Sequence, residues 1–283
     1  MDDIFIIYKY HIEKINLEKY NYETRKIILS NLKKYTKLKI FECCNCNLTE
    51  LPELPSSLKT LRCNNNNLKK LPDLPNSLEF LVCHSNNLKK LPDLPNSLID
   101  LCCQNNNLIE LPNLPNTLID LFCQNNNLTE LPNLPNSLIM LRCYFNRLTK
   151  LPNLPNSLQI FGCYNNNLTE LPKLPNSLIL LDCKNNNLTE FPDLPNSLIH
   201  LHCYNNNCNL IYHINGIHQA NAKIIIINET NSKKRIIKRM KVLNRTLLLE
   251  HSAMITMNPK RIQRLLNTNE IDFFDGSFDT LTS

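Results

Sequence analysis

A solenoid of stacked, short parallel strands is the fold class that this sequence predicts, and three observations predict it. A 20-residue unit recurs without insertion, with leucines at Leu58, Leu78, Leu98, Leu118, Leu138, Leu158, Leu178 and Leu198. Cysteines keep the same step, at Cys43, Cys63, Cys83, Cys103, Cys123, Cys143, Cys163, Cys183 and Cys203. Glycine, the usual residue for tight bends, occurs only 3 times in 283 residues, against 17 prolines. The chain must therefore bend through proline and asparagine.

One unit shows how each element follows. Leu118, Leu121, Cys123, Asn126 and Leu128 fit the leucine-rich repeat pattern L-x-x-L-x-L-x-x-N-x-L, with cysteine at the third apolar place. The alternation around Leu121-Phe122-Cys123 predicts a short strand. Equivalent strands of successive units lie side by side and parallel, so nine units give a sheet about 40 Å long. Leu118, Leu121, Cys123, Leu128, Leu131 and Leu134 point inward and stack on their counterparts, because one unit cannot bury them alone. Asn126 is expected to turn the chain and to bond the backbone groups left unpaired there; Cys46 holds that place in the first unit. The stretch Leu131-Pro132-Asn133-Leu134-Pro135-Asn136 cannot be α-helix, since two prolines remove donors and fix φ. It is expected to run extended, like polyproline II, on the convex side.

The motif LPxLPxSLxxLxCxxNxLTx resembles the short LPX repeats of secreted bacterial effectors. It is more similar still to leucine-rich repeat proteins of giant amoebal viruses such as mimivirus, which share this Asn-rich, Gly-poor style. The resemblance covers Leu38 to about Asn207. It implies a protein-binding module with no enzyme in the repeat. Related bacterial effectors carry a C-terminal ubiquitin ligase with a catalytic cysteine. That feature does not transfer, because no cysteine follows Cys208.

The expected domains are a helical N-terminal cap over 1–37, the solenoid over 38–217 with about nine units, and a basic C-terminal cap or tail over 218–283. In the first segment Tyr20, Ile27, Ile28 and Leu32 stand near helical spacing, with charge between them. Charge separates along the chain. Residues 38–217 hold 12 bases and 14 acids, whereas 218–283 hold 11 bases and 6 acids. Lys233, Lys234, Arg235, Lys238, Arg239 and Lys241 alternate with apolar residues, which predicts an amphipathic helix capping the solenoid. The same six bases are the candidate nucleic-acid contact, weakened by the lack of interleaved aromatics.

Function is expected where the units differ. Three rows of side chains face out from the strands. The first runs Ile40, Thr60, Phe80, Asp100, Asp120, Met140, Ile160, Leu180, His200. The second runs Glu42, Arg62, Val82, Cys102, Phe122, Arg142, Gly162, Asp182, His202. The third runs Cys44, Asn64, His84, Gln104, Gln124, Tyr144, Tyr164, Lys184, Tyr204. Aromatics and arginines mixed in this way suit a protein-binding patch on the concave face. The candidate contact residues are Arg62, Phe80, Phe122, Met140, Arg142, Tyr144, Phe145, Tyr164, His202 and Tyr204.

The nine ladder cysteines read as buried reduced thiols, since equivalent groups in a row offer no unique pairing. Cys44 and Cys102, facing outward, are the expected reactive thiols. Cys43-Cys44-Asn45-Cys46 and the His200/His202 pair lack further ligands, so no metal and no cofactor is expected. No nucleotide, hydrolase or metalloprotease motif is present, so the chain is read as no enzyme. The start lacks the pattern of a signal peptide and no apolar run approaches the ~20 residues of a membrane span, so the expected location is inside a cell and, as the viral resemblance implies, the host cytoplasm. Sequons such as Asn127-Leu128-Thr129 then read as by-products of the repeat.

The leading reading is a non-catalytic interaction module for an unidentified protein, of the host on the viral resemblance. Two alternatives stay open. One is a substrate receptor that reaches a ubiquitin ligase through residues 1–37. The other is a nucleic-acid-associated protein acting through residues 233–241.

Overall fold

The computed structural model describes residues 12–207 and the strand Ile225–Ile226. Strands β1 (Lys14–Asn16), β2 (Ile40–Glu42), β3 (Thr60–Arg62), β4 (Phe80–Val82), β5 (Asp100–Cys102), β6 (Asp120–Phe122), β7 (Met140–Arg142), β8 (Ile160–Gly162), β9 (Leu180–Asp182), β10 (His200–His202) and β11 (Ile225–Ile226) form one sheet in chain order. Every pair is parallel, and from β2 to β10 each residue pairs with the one 20 positions on, as Leu121 does with Leu141.

The middle residue of each repeat strand is fully buried, and so are the leucines before and after it from Leu58 to Leu188, while Leu48 in the first unit is partly buried. Leu118, Leu121, Cys123 and Leu128 have no exposed surface, and Leu131 keeps 7 %. Leu134 is half-buried against this core. Burying one leucine contributes about 1.5–3 kcal/mol, and the units on either side complete that burial.

Two side-chain ladders join the units where the strands stop. Asn126 Nδ2 donates to the carbonyls of Cys103 and Cys123 at 3.1 Å each, and its Oδ1 accepts from the Leu108 N–H at 3.0 Å. Asn66, Asn86, Asn106, Asn146, Asn166, Asn186 and Asn206 repeat this bridge. On the other side, Ser137 Oγ donates to the Leu118 carbonyl at 2.6 Å. Residues 131–135 hold neither helix nor strand, and the return turn closes with the Leu138 N–H on the Pro135 carbonyl at 3.1 Å.

The turn itself corrects the expectation for Asn126. Asn125, one residue earlier, carries the positive φ of 54°, and Asn126 supplies the hydrogen bonds. Asparagine tolerates this left-handed conformation better than other residues with a Cβ, so the bends need no glycine. The same place is held by Asn45, Asn65, Asn105, Asn165, Asn185 and Asn205, by Ser85, and by Phe145 at φ 50°.

Before the repeats, the chain is less purely helical than expected. A 3-10 turn (Leu17–Lys19), helix α1 (Tyr22–Ser30) and a second 3-10 turn (Leu32–Lys34) lie between β1 and β2. Asn21 caps α1 by accepting from the Thr24 N–H at 2.9 Å. Ile15, Leu17, Ile28 and Leu32 are buried and continue the solenoid core, while Ile27 faces water. β1 and β11 extend the sheet beyond residues 38–217 at both ends. Periodicity misses β1 because its central Ile15 stands 26 residues before Phe41, its partner in the sheet. The segment 233–241 lies outside the described residues.

Candidate binding face on the sheet

The outward rows place their side chains as ladders, because register is constant from strand to strand. Phe122, Arg142, Gly162 and Asp182 are successive partners. The Arg142 guanidinium lies 5.0 Å from the centre of the Phe122 ring. In the third row Tyr144 and Tyr164 stack at 4.2 Å with planes 12° apart. Phe145 meets both edge-on, at 5.8 and 5.4 Å. Gly162 lies under the Tyr144 ring, and a Cβ there would sit in ordinary contact with it at 3.6 Å. Lys184 continues the row, 4.6 Å above the Tyr164 ring and 5.5 Å from that of Tyr204, with its Nζ 3.7 Å from Asp182.

Eight of the ten expected contact residues stand on β6 to β10 or just after those strands, and they differ in what they offer. Phe145 is 41 % exposed, and Phe122, Arg142, Tyr164 and Tyr204 are half-buried. Met140, Tyr144 and His202 are buried, so they support the surface more than they form it. The sequence shows which way a side chain leaves a strand but not how far its neighbours cover it. Arg62 and Phe80 stand apart, on β3 and β4, about 19 and 14 Å from β7 at the usual strand spacing. Arg62 approaches Glu42 at 3.9 Å. Lys184 was missed as a site residue; its place between Tyr164 and Tyr204 in the third row was the available signal.

Burial sets the protonation of the buried groups. The Tyr164 phenol is pushed well up by burial and by Tyr144, so it stays neutral. Burial raises Asp182 to about 6, with Lys184 opposing, and lowers His202 to about 4, with Lys184 and His200 adding to the effect. The Cys123 thiol is raised by burial to about 12, and those of Cys63, Cys83, Cys103, Cys143 and Cys163 also rise well above their ordinary value. The Cys44 thiol, three strands from Cys102, is also raised by burial. Among the described residues no three His, Cys, Asp or Glu side chains are grouped to hold a metal ion. None of the described helices is long and apolar enough to cross a membrane.

This architecture is shared with solved structures. YopM from Yersinia enterocolitica is 36 % identical, with a TM-score of 0.57 over 61 % of this chain and 43 % of YopM. A Shigella effector leucine-rich repeat domain is 26 % identical, with a TM-score of 0.53 over 80 % of this chain and 97 % of that domain. The fold is a leucine-rich repeat solenoid. A functional domain of InlJ from Listeria monocytogenes, described as including a cysteine ladder, matches at 26 % identity and a TM-score of 0.52, over 70 % of this chain and 50 % of that one. The solenoid here carries such a ladder too, from Cys43 to Cys203. This chain spans less than half the length of the Yersinia protein. No protein-family model and no curated protein matches the sequence. The similarity to bacterial effector repeats is shown, whereas the likeness to giant-virus proteins rests on the motif alone.

Proposed function

We propose that this chain is a non-catalytic protein-binding module whose partner sits on the outward, concave face of the sheet around Phe145, with a host-cell protein as the expected partner. One observation carries the reading. Phe145 takes a left-handed backbone conformation where seven other units place asparagine, and it does so while exposing its ring. For a bulky residue that conformation costs about 1–2 kcal/mol. The turn still closes, since Asn146 makes the usual bonds to Cys123 and Cys143, so turn geometry does not call for phenylalanine here; its ring packs on Tyr144 and Tyr164 at the outward surface. Strain of this kind, kept beside a stacked aromatic pair, supports the reading of this surface as a binding site. The Shigella neighbour, described as an effector domain, lends support from the same fold.

The test is capture from a eukaryotic cell lysate by the intact chain and by Phe145→Asn/Tyr164→Ser. The expected result is that proteins held by the first are lost from the second, with unchanged circular dichroism. Retention of the same proteins by both would remove the face from the account.

A further inference from the structure

On β5 and β6 the open face changes character. Asp100 and Asp120 are partners in register, so two carboxylates stand side by side at about 4.8 Å strand spacing. Like charges placed directly opposite one another destabilise a sheet. Further along the same strands Gln104 and Gln124 are neighbours in the third row. No lysine or arginine stands in the outward rows of β4, β5 or β6. Three acceptors here are covered from solvent and receive no hydrogen bond: Asp100 Oδ1, Gln104 Oε1 and Gln124 Oε1. Gln124 is only 6 % exposed as a whole residue. A buried acceptor without a donor costs free energy, and a donor from outside removes that cost. The repeat does not ask for these groups, because other units hold Thr60, Ile160, Asn64 and Tyr164 at the same places.

We infer that this acceptor patch receives a cationic side chain, an arginine or a lysine, from an extended segment of the protein partner. The inference rests on the protein-binding reading above and names the partner's chemistry. The same segment places an apolar or aromatic residue on Tyr144, Phe145 and Tyr164. The spacing follows from the sheet. The aromatic cluster lies two strands over and four residues along from the aspartates, a diagonal of about 16 Å. An extended chain covers that in about five residues. Arginine fits better than lysine, since its guanidinium donates in parallel to carboxylates and stacks on aromatic faces. A nucleic acid fits worse, because its phosphates would meet the two aspartates.

A displayed library of random 12-residue peptides, selected on the immobilised full chain, tests this. Enriched peptides would be measured by fluorescence anisotropy against the intact chain, Asp100→Asn, Asp100→Asn/Asp120→Asn, and Phe145→Asn/Tyr164→Ser. The expected peptides carry an arginine or lysine about five positions from an apolar or aromatic residue. The double asparagine variant is expected to weaken them at least tenfold, and Asp100→Asn alone to weaken them in the same direction should the double variant fold poorly. Acidic or neutral peptides, or basic ones indifferent to the aspartates but lost on Phe145→Asn/Tyr164→Ser, overturn the cation inference and leave the binding face standing. Peptides indifferent to every variant, or no enrichment, overturn both.

Discussion

Asn126 shows how one amide holds two units together. It donates to a carbonyl of its own unit and to one of the unit before, and it accepts an N–H from that earlier unit. Asn126→Asp keeps the shape and the acceptor but removes both donors and buries a charge against two carbonyls. A loss of about 2–4 kcal/mol is expected in urea unfolding, with Asn125→Asp, one residue away and exposed, costing under about 1 kcal/mol. Both positions are asparagine in most units, so the periodic sequence alone does not separate their jobs. The informative units are those where the two part: Ser85-Asn86 and Phe145-Asn146 keep the second asparagine and release the first. The inward leucines and cysteines were legible from the start, because stacking demands the same small set of shapes at each step.

The strands of the solenoid differ in what they leave open to chemistry. The cysteine ladder is buried in the core, and burial holds its thiols protonated. Iodoacetamide is therefore expected to label Cys44, Cys46 and Cys102 in the native protein, and Cys43, Cys63, Cys83, Cys103, Cys123, Cys143, Cys163, Cys183 and Cys203 only on unfolding, as mass spectrometry of digests would show. At β9 and β10 two buried groups oppose each other. His202 is lowered from 6.5 to about 4, so its contribution to stability is present above pH 6.5 and is lost as pH falls through 4. Asp182 is raised from 3.8 to about 6, so its contribution is present below pH 3.8 and is lost as pH rises through 6. Each amounts to about 3 kcal/mol, and between pH 6 and 4 they largely cancel. Asp182→Asn removes the counterweight, and its urea midpoint is expected to fall more steeply than that of the intact chain as pH goes from 6.5 to 4. These environments were not legible in the sequence, because the depth of cover over an outward side chain depends on its neighbours in space. Periodicity also passed over β1, whose step of 26 residues breaks the 20-residue rule kept from β2 to β10.

The whole molecule combines a frame repeated for stability with a face free to vary. Register, ladders and core are nearly the same from one unit to the next, which is why the fold could be read from one sentence of sequence written nine times. The binding face could be read only in part. Its rows, and the nearness of Phe122, Arg142, Tyr144, Phe145 and Tyr164, followed from alternation and the repeat, but the ring stacking and the place of Lys184 over Tyr164 came from the packing. The strain at Phe145 came from the backbone. The central claim is that this residue serves binding, and Phe145→Asn tests it most directly when thermal unfolding and partner capture are measured on the same preparation. The variant relieves about 1–2 kcal/mol of backbone strain and gives up two edge-on ring contacts of similar total worth, so the unfolding midpoint is expected to stay within roughly 4 °C of the intact chain while the captured proteins are lost. Undiminished capture by a folded variant would contradict the account.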